Sequence, residues 1–456
     1  MSEQKTSLFR HKLELLILTE SEEVLNRARQ VIAAHYLTYK KLPFEKVATD
    51  TLGELNKAVL VVLAQETEEG LKDFAVRVEQ ALKFFPRSKF IAVMAPGHSR
   101  ENLEGTQNAR VTALSQHEFF STLKFEYLCV YRCRSQYFEV QLKDFFPMTT
   151  MLAPCYVRLP LNQRYLAVIH GNAVLTETRV QRLEQYKELF IRVGDSSKYY
   201  EYINNYYDSS GAALRKKARA LFLAVYYYSL ALNEHILFDF KSAPDSQIEE
   251  IYAALLGIAN PLLEIMKSKE DLWEIFREAH NNEIAPFWRG PWIAVYATLM
   301  AVRSGVGDPL VTLMSGLLMD VGLYDLDEDT ARAYLLSEDK KLAPNMLSSF
   351  EKHPLLSLNR SLIKKVPIND AIKSVIVCTH EKSNESGFPN QVPTDKLPVE
   401  AQLLMFAERV DQEVLTVMKK NGVGFRFLKE KYWESEKTSG QNFSEEFLTA
   451  IAEALL

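Results

Sequence analysis

Cysteine is scarce in this sequence, which has four cysteines in 456 residues. So few thiols in a chain of this length fit a reducing compartment and exclude a fold held together by many disulfides. Cys129 and Cys133 are four residues apart, but no second pair completes a zinc signature. We interpret this pair as core thiols; the other two cysteines are Cys155 and Cys378.

Long apolar runs and an excess of positive charge are missing as well. No uninterrupted apolar run approaches the length of a membrane span. The first residues, MSEQKTSLFRHK, are polar and no apolar segment follows them, so we expect no secretory signal and a cytoplasmic protein. The formal net charge of -5 argues against a nucleic-acid polymer as partner, because such binders usually carry a basic excess.

The remaining composition, 47% hydrophobic and 25% charged, is that of a globular chain long enough for several domains. Up to about residue 125, apolar runs alternate with helical patterns. The runs that predict strands are 13–19, 57–64, 90–95 and 109–115, and helical periodicity covers 22–36 and 68–85. Such alternation predicts a doubly wound α/β domain with a parallel sheet.

The order and spacing of this first part, residues 1–125, resemble a response-regulator receiver domain. The resemblance implies acids after the first strand and a phosphorylated Asp at the end of the third. Thr19 and Glu20 follow the first strand here, and Val62 or Leu63 stands at the phosphoacceptor position. Neither apolar residue can accept a phosphoryl group, so the resemblance implies a pseudo-receiver. Another small α/β domain is the alternative.

Residues 126–210 have a different pattern, which predicts a small β-rich domain. The predicted strands are 126–133, 137–142, 155–160 and 164–170. A helix, a short strand and a helix ending in tyrosines follow, and we interpret the tyrosines as packing residues. The pattern resembles the adaptor that often precedes HD-GYP domains. From residue 211 to 456 the periodicity is helical almost throughout, which predicts an all-α bundle.

Four short segments of this helical part resemble the HD-GYP family of cyclic-di-GMP phosphodiesterases, and they come in the family's order. The first, GLLMDVGLYDL at 316–326, resembles "LLHDIGK". Asp320 and Gly322 match the motif, whereas Met319 replaces the His and Leu323 the Lys. A thioether is a poor substitute for imidazole on a borderline metal, and leucine cannot donate to a phosphate.

The third segment, THEKSNESGFP at 379–389, is the most specific, since it aligns with "HHExxxGxGYP" without a gap. The matching residues are His380, Glu381, Gly387 and Pro389. Phe388 replaces the Tyr, which keeps the ring and loses the hydroxyl. Thr379 replaces the first His.

The second and fourth segments contribute single matches. His353 and Pro354 match an "HPxxG" segment, and Glu408 and Asp411 stand at the two acidic positions of "VADxYDAL". Three residues apart on a helix, these two acids share one side. The family's upstream His has no counterpart, because Pro291 or Trp292 stands in its place.

The resemblance implies a metal site of Asp320, His353, His380 and Glu408, with Glu381, Gly387, Phe388 and Pro389 in the GYP-like loop. Three or four ligands can hold one divalent ion, iron or manganese in this family, whereas symmetric clamping of a phosphodiester needs two. Each residue also has a simpler interpretation: most buried histidines are core groups, and an Asp at a helix end often caps it.

Three hypotheses on function follow from these residues. The first is a catalytically impaired effector that binds cyclic di-GMP or a signalling protein. The second is an active metal-dependent phosphodiesterase that uses the reduced site. The third is an interaction scaffold that binds no nucleotide.

Overall fold

The structure is a computed structural model that describes most of the chain. The described residues are 13–47, 55, 58–66, 68–98, 108, 110–133, 137–159, 164–186, 188–207, 210–238, 246–282, 289–336, 342–393, 396–413, 425–440 and 442–455. The chain divides into two compact units. The first is Met1–Ser135 with Arg158–Leu166 and Leu237–Pro244, and the second is Gln136–Val157, Ala167–Ile236 and Asp245–Leu456. The division into three domains stays a prediction.

The first unit contains a parallel five-stranded sheet, as the alternating pattern predicts. Its strands are β1 (Leu15–Leu18), β2 (Tyr39–Leu42), β3 (Leu60–Ala64), β4 (Lys89–Val93) and β5 (Val111–Leu114), in the order β2-β1-β3-β4-β5. That order is one of the two common orders of doubly wound sheets. The apolar pattern missed β2, because its sequence YKKL is short, half-exposed and lies at the sheet edge, where lysines are frequent.

Among the described residues, the helices that accompany this sheet are α1 (Glu22–His35), α2 (Leu71–Phe84), α3 (Gln116–Ser121) and α4 (Lys124–Cys133). The strand predicted over residues 126–133 is wrong, because this segment lies in helix α4. The segment is buried on nearly every side, so it has no amphipathic periodicity to separate a strand from a helix. Cys129 and Cys133 lie on α4 as buried free thiols, which confirms them as core residues.

A second sheet has the order β6-β11-β8-β9, beside a small antiparallel ladder of β7 and β10. These strands are β6 (Tyr137–Val140), β7 (Thr150–Met151), β8 (Cys155–Leu159), β9 (Arg164–Ile169), β10 (Ala173–Val174) and β11 (Leu189–Arg192), with helices α5 (Glu177–Leu183) and α6 (Ser196–Tyr206). The tyrosines of this region pack and form hydrogen bonds. The hydroxyl of Tyr199 donates to Asp144 Oδ2 over 3.0 Å.

The remainder of the second unit is helical. Its helices are α7 (Gly211–Leu237), α8 (Ser246–Met266), α9 (Leu272–Asn282), α10 (Gly290–Ser304), α11 (Pro309–Leu318), α12 (Glu328–Leu336), α13 (Pro344–Phe350), α14 (His353–Ile363), α15 (Asp370–Cys378), α16 (Val399–Glu413), α17 (Phe425–Ser439) and α18 (Glu445–Ile451). Helix α10 is buried along most of its length and packs on α11 and α16. Within the described ranges, no helix has the length and apolar character to cross a membrane.

Candidate metal centre

The candidate metal centre lies where four helix ends and faces of the second unit meet. Asp320 follows α11 and begins a 3-10 turn, Val321–Asp325. His353 is the first residue of α14. Pro354 follows it in the first turn, where its missing amide proton costs no hydrogen bond because the first helical amides have no intrahelical partner. His380 follows α15 by two residues. Glu408 lies within α16, so the four residues come from separate elements.

A close backbone approach fixes the first two of these residues relative to each other. The amide of Gly322 donates to Ser357 Oγ over 2.8 Å, and that hydroxyl donates to the carbonyl of Met319 over 2.5 Å. A Cβ at Gly322 would lie 2.4 Å from the carbonyl oxygen of His353, so only glycine fits. The turn is therefore clamped on α14, with His353 Nε2 at 3.7 Å from Asp320 Oδ1.

Asp320, His353 and His380 form a buried cluster in which one ligand atom of each lies within 4.8 Å of the others. The Nε2 atoms of His353 and His380 are 3.0 Å apart. His353 Nδ1 lies 2.7 Å from the carbonyl oxygen of Phe350, which can only accept, so this nitrogen donates and Nε2 carries the lone pair. Burial lowers the pKa of His353 to about 4 and keeps the ring neutral, as a metal ligand must be.

This donor set fits a borderline divalent cation. Two imidazole nitrogens and one carboxylate are ligands for such ions, and the His353–Phe350 contact is the kind of outer hydrogen bond that orients a metal-bound ring. The structure brings three of the four predicted ligands to one point. Their binding of a metal stays a prediction.

Glu408, the fourth predicted ligand, faces the ring nitrogen of His380 that does not contact His353. Its Oε2 is 3.7 Å from His380 Nδ1, and its Oε1 accepts a hydrogen bond from the hydroxyl of Tyr334. A carboxylate behind a ligating histidine orients the ring and raises its basicity. Burial is the main cause that raises the pKa of Glu408 to about 7, and the negative charge of Asp320 is the second.

The GYP-like loop supports His380. The ring of Phe388 stacks on that of His380 at 5.0 Å between centroids and 14° between planes. The carboxylate of Glu381 is buried and accepts from the amides of Asn390 at 2.6 Å and Val392 at 3.2 Å, so it holds the loop. Gly387 passes so close to the backbone of Glu381 that a Cβ would lie 2.4 Å from its Cα.

The positions where the sequence departs from the family motifs are filled with packing residues. Met319 and Leu323 are buried hydrophobic side chains. The hydroxyl of Thr379 donates to the carbonyl of Ile376 over 3.1 Å. Trp292 is buried in the core, and Pro291 lies in the first turn of α10, where its missing amide proton costs nothing.

The motif comparison did not identify two residues beside the cluster, Arg289 and Tyr334. Arg289, at the start of α10, is buried and donates from Nε to Asp411 Oδ2 over 2.6 Å. Tyr334 is the hydroxyl donor to Glu408. These contacts span 122 and 74 residues of sequence, and no local pattern marks either side chain.

The sequence matches no protein-family model and no curated protein. A solved structure described as "Bd1817, a HDG"Y"P protein from Bdellovibrio bacteriovorus" aligns with a TM-score of 0.42 and 15% identity, over 70% of this chain and 98% of that chain. A likeness at this level establishes neither a shared fold nor a shared function.

The raised pKa of Glu408 predicts a pH-dependent stability in the cation-free protein. Its folded pKa of about 7 exceeds its ordinary value of 4.5, so the folded state holds a proton that the unfolded chain releases in between. Stability from this group is therefore full below pH 4.5 and is lost as pH rises to about 7. The difference in unfolding free energy between Glu408→Gln and the parent should therefore grow in favour of the variant by about 3 kcal/mol between pH 4.5 and about 7.

Urea denaturation in a chelator, at several pH values, measures this difference. The comparison between variant and parent removes the contributions of other titrating groups, including that of His353, which acts in the opposite direction. Parallel pH curves for the two proteins would contradict the assignment.

Proposed function

We propose that the chain is a degenerate HD-GYP-type protein of cyclic-di-GMP signalling, an effector with impaired catalysis. The observation that supports it most is the convergence of Asp320, His353 and His380, which come from three separate motif-like segments. If the sequence segments matched the family motifs only by chance, their ligand atoms would not be expected to lie within 4.8 Å of one another in a buried site.

The impairment follows from the residues that surround this cluster. Met319, Thr379 and Leu323 stand where imidazoles and a cation would complete the family site. A bound divalent ion would polarise a phosphodiester and lower the pKa of water. The chain's own residues can hold one such ion with Asp320, His353 and His380, and Glu408 can orient His380 from behind. An active phosphodiesterase with a reduced site is the second candidate, because ligand atoms of Asp320, His353 and His380 converge in a buried cluster.

Cation binding is the first test of the proposal. Protein purified without chelators should contain about one equivalent of iron or manganese, and Mn²⁺ should raise the melting temperature of the stripped protein. We expect His380→Ala to raise the apparent Kd for Mn²⁺, obtained from this melting-temperature rise, about 10–100-fold or more, because it removes a ligand. His170→Ala, at an exposed position of the second sheet's loop, is the matched control and should respond like the parent. A parent without any response would contradict the metal site.

The first unit is proposed to be a receiver-like domain without phosphorylation. Val62 and Leu63 are fully buried within β3. Beyond the strand ends, Glu66 accepts from the amide of Glu20 at 3.2 Å and lies 4.0 Å from Arg77 Nη1, so this acid is held by neighbours. Mg²⁺ with beryllofluoride, a phosphoryl mimic, should therefore leave the melting temperature unchanged. A stabilisation that disappears in Glu66→Gln would overturn the proposal for this unit.

A further inference from the structure

Arg289 and Asp411 form an ion pair inside the second unit, next to the candidate metal centre. Their side chains are 2% and 0% exposed, and Arg289 Nε donates to Asp411 Oδ2 over 2.6 Å. A second guanidinium nitrogen, Nη2, donates to the carbonyl oxygen of Glu408 over 3.2 Å. The cation is thus fixed at the backbone of a residue whose carboxylate faces His380.

The negative charges of three nearby acids act on the Arg289 guanidinium. Burial by itself lowers the pKa of Arg289, but the charges of Asp411, Glu408 and Asp320 outweigh it and raise the pKa above its ordinary value. A buried cation is tolerated in a protein only where such compensation exists. Arg289 is therefore part of the electrostatic balance of the cluster, although it is absent from the family motifs in the sequence.

We propose that Arg289 is the built-in cation of this site and limits it to one divalent ion. The acids whose charges act on Arg289 are Asp320, Glu408 and Asp411, and Arg289 neutralises one of their three negative charges, whereas the Glu381 carboxylate is held by two loop amides. The two that remain match one divalent cation, and a second ion would leave buried positive charge. Arg409, the neighbouring cation on α16, is exposed and therefore screened. The proposal rests on the proposed function in that it assigns an ion to the same cluster.

Charge variants with opposite expected signs test it. Arg289→Met removes the positive charge and should tighten the apparent Kd for Mn²⁺ about tenfold or more. Asp411→Asn removes a negative charge and should weaken it by a similar factor. The double variant restores the balance and should bind like the parent. Arg289→Lys keeps the charge and should also resemble the parent.

The readouts are the Mn²⁺-dependent melting temperature and the equivalents of Mn²⁺ bound per chain, measured on the full-length protein. If the ion pair served packing alone, both single variants would bind Mn²⁺ more weakly, and this result would overturn the proposal. A parent that binds one equivalent together with an Arg289→Met variant of unchanged affinity would refute the role of Arg289 and leave the metal site standing. Mn²⁺ binding by Arg289→Met with none by the parent would refute both the metal site of the parent and the limit of one ion.

Discussion

Cyclic di-GMP should be hydrolysed very slowly or not at all by the unmodified protein with Mn²⁺ or Fe²⁺ present. In-line attack on phosphorus builds charge on the phosphate oxygens and needs a strong nucleophile at neutral pH, and a metal pair supplies both effects. Here the ligand atoms that converge belong to Asp320, His353 and His380, which suffice for one ion. Met319 and Leu323, which stand at the family's His and Lys positions, are buried hydrophobic side chains and offer no ligand for a second ion.

Recovery of activity should need several substitutions at once. Met319→His alone should change little, because the ligands of one cluster act as a unit. Met319→His with Thr379→His and Leu323→Lys restores two imidazoles and the cation of the family site, although the upstream His still has no counterpart. We expect its rate to exceed that of the parent by about 10³-fold where it folds. Adding Arg289→Met tests whether the internal cation also opposes a second ion.

Formation of linear pGpG or GMP from cyclic di-GMP measures the rate, and urea denaturation checks that each variant is folded. The single variant Met319→His is the matched control for the change in buried volume. Rapid hydrolysis by the unmodified protein that is lost in His380→Ala would show that the reduced site suffices, and the second candidate function would then replace the first.

The sequence predicts the elements of this protein better than the contacts of its site. β1, β3 and β4 are apolar runs bounded by polar residues, and such runs are visible without the structure. The short edge strand β2 and the buried helix α4 have no such signal, since β2 is half-polar and α4 is buried on nearly every side. In both, tertiary surroundings decide the conformation.

The site shows the same division. Motif positions single out Asp320, His353 and His380, but only the packing of the 3-10 turn on α14 places the first two side by side. Glu408 lies behind His380, a position that a one-dimensional motif does not distinguish from a direct ligand. Arg289 and Tyr334 act through partners more than 70 residues away, so the sequence offers no pattern for them.

Gly322→Ala and Gly387→Ala should each destabilise the protein by about 3 kcal/mol or more. At Gly322 the new Cβ would lie 2.4 Å from the carbonyl oxygen of His353 and 2.7 Å from the amide nitrogen of Ser357. At Gly387 it would lie 2.4 Å from the Cα of Glu381 and 2.5 Å from the amide nitrogen of Lys382. All four obstacles are backbone atoms, which cannot move aside as a flexible side chain can.

Gly257→Ala provides the matched control, because a Cβ there meets nothing within 4 Å in the interior of α8. In that helix alanine should stabilise the protein by about 0.5–1 kcal/mol, since it costs less backbone entropy than glycine. Urea midpoints at constant slope give the three values. Since each clash lies beside a histidine of the cluster, Gly322→Ala and Gly387→Ala should also lose the Mn²⁺-dependent rise in melting temperature, whereas Gly257→Ala should keep it. Equal stability of all three variants would mean that the turn and the loop do not hold the site in the packing described.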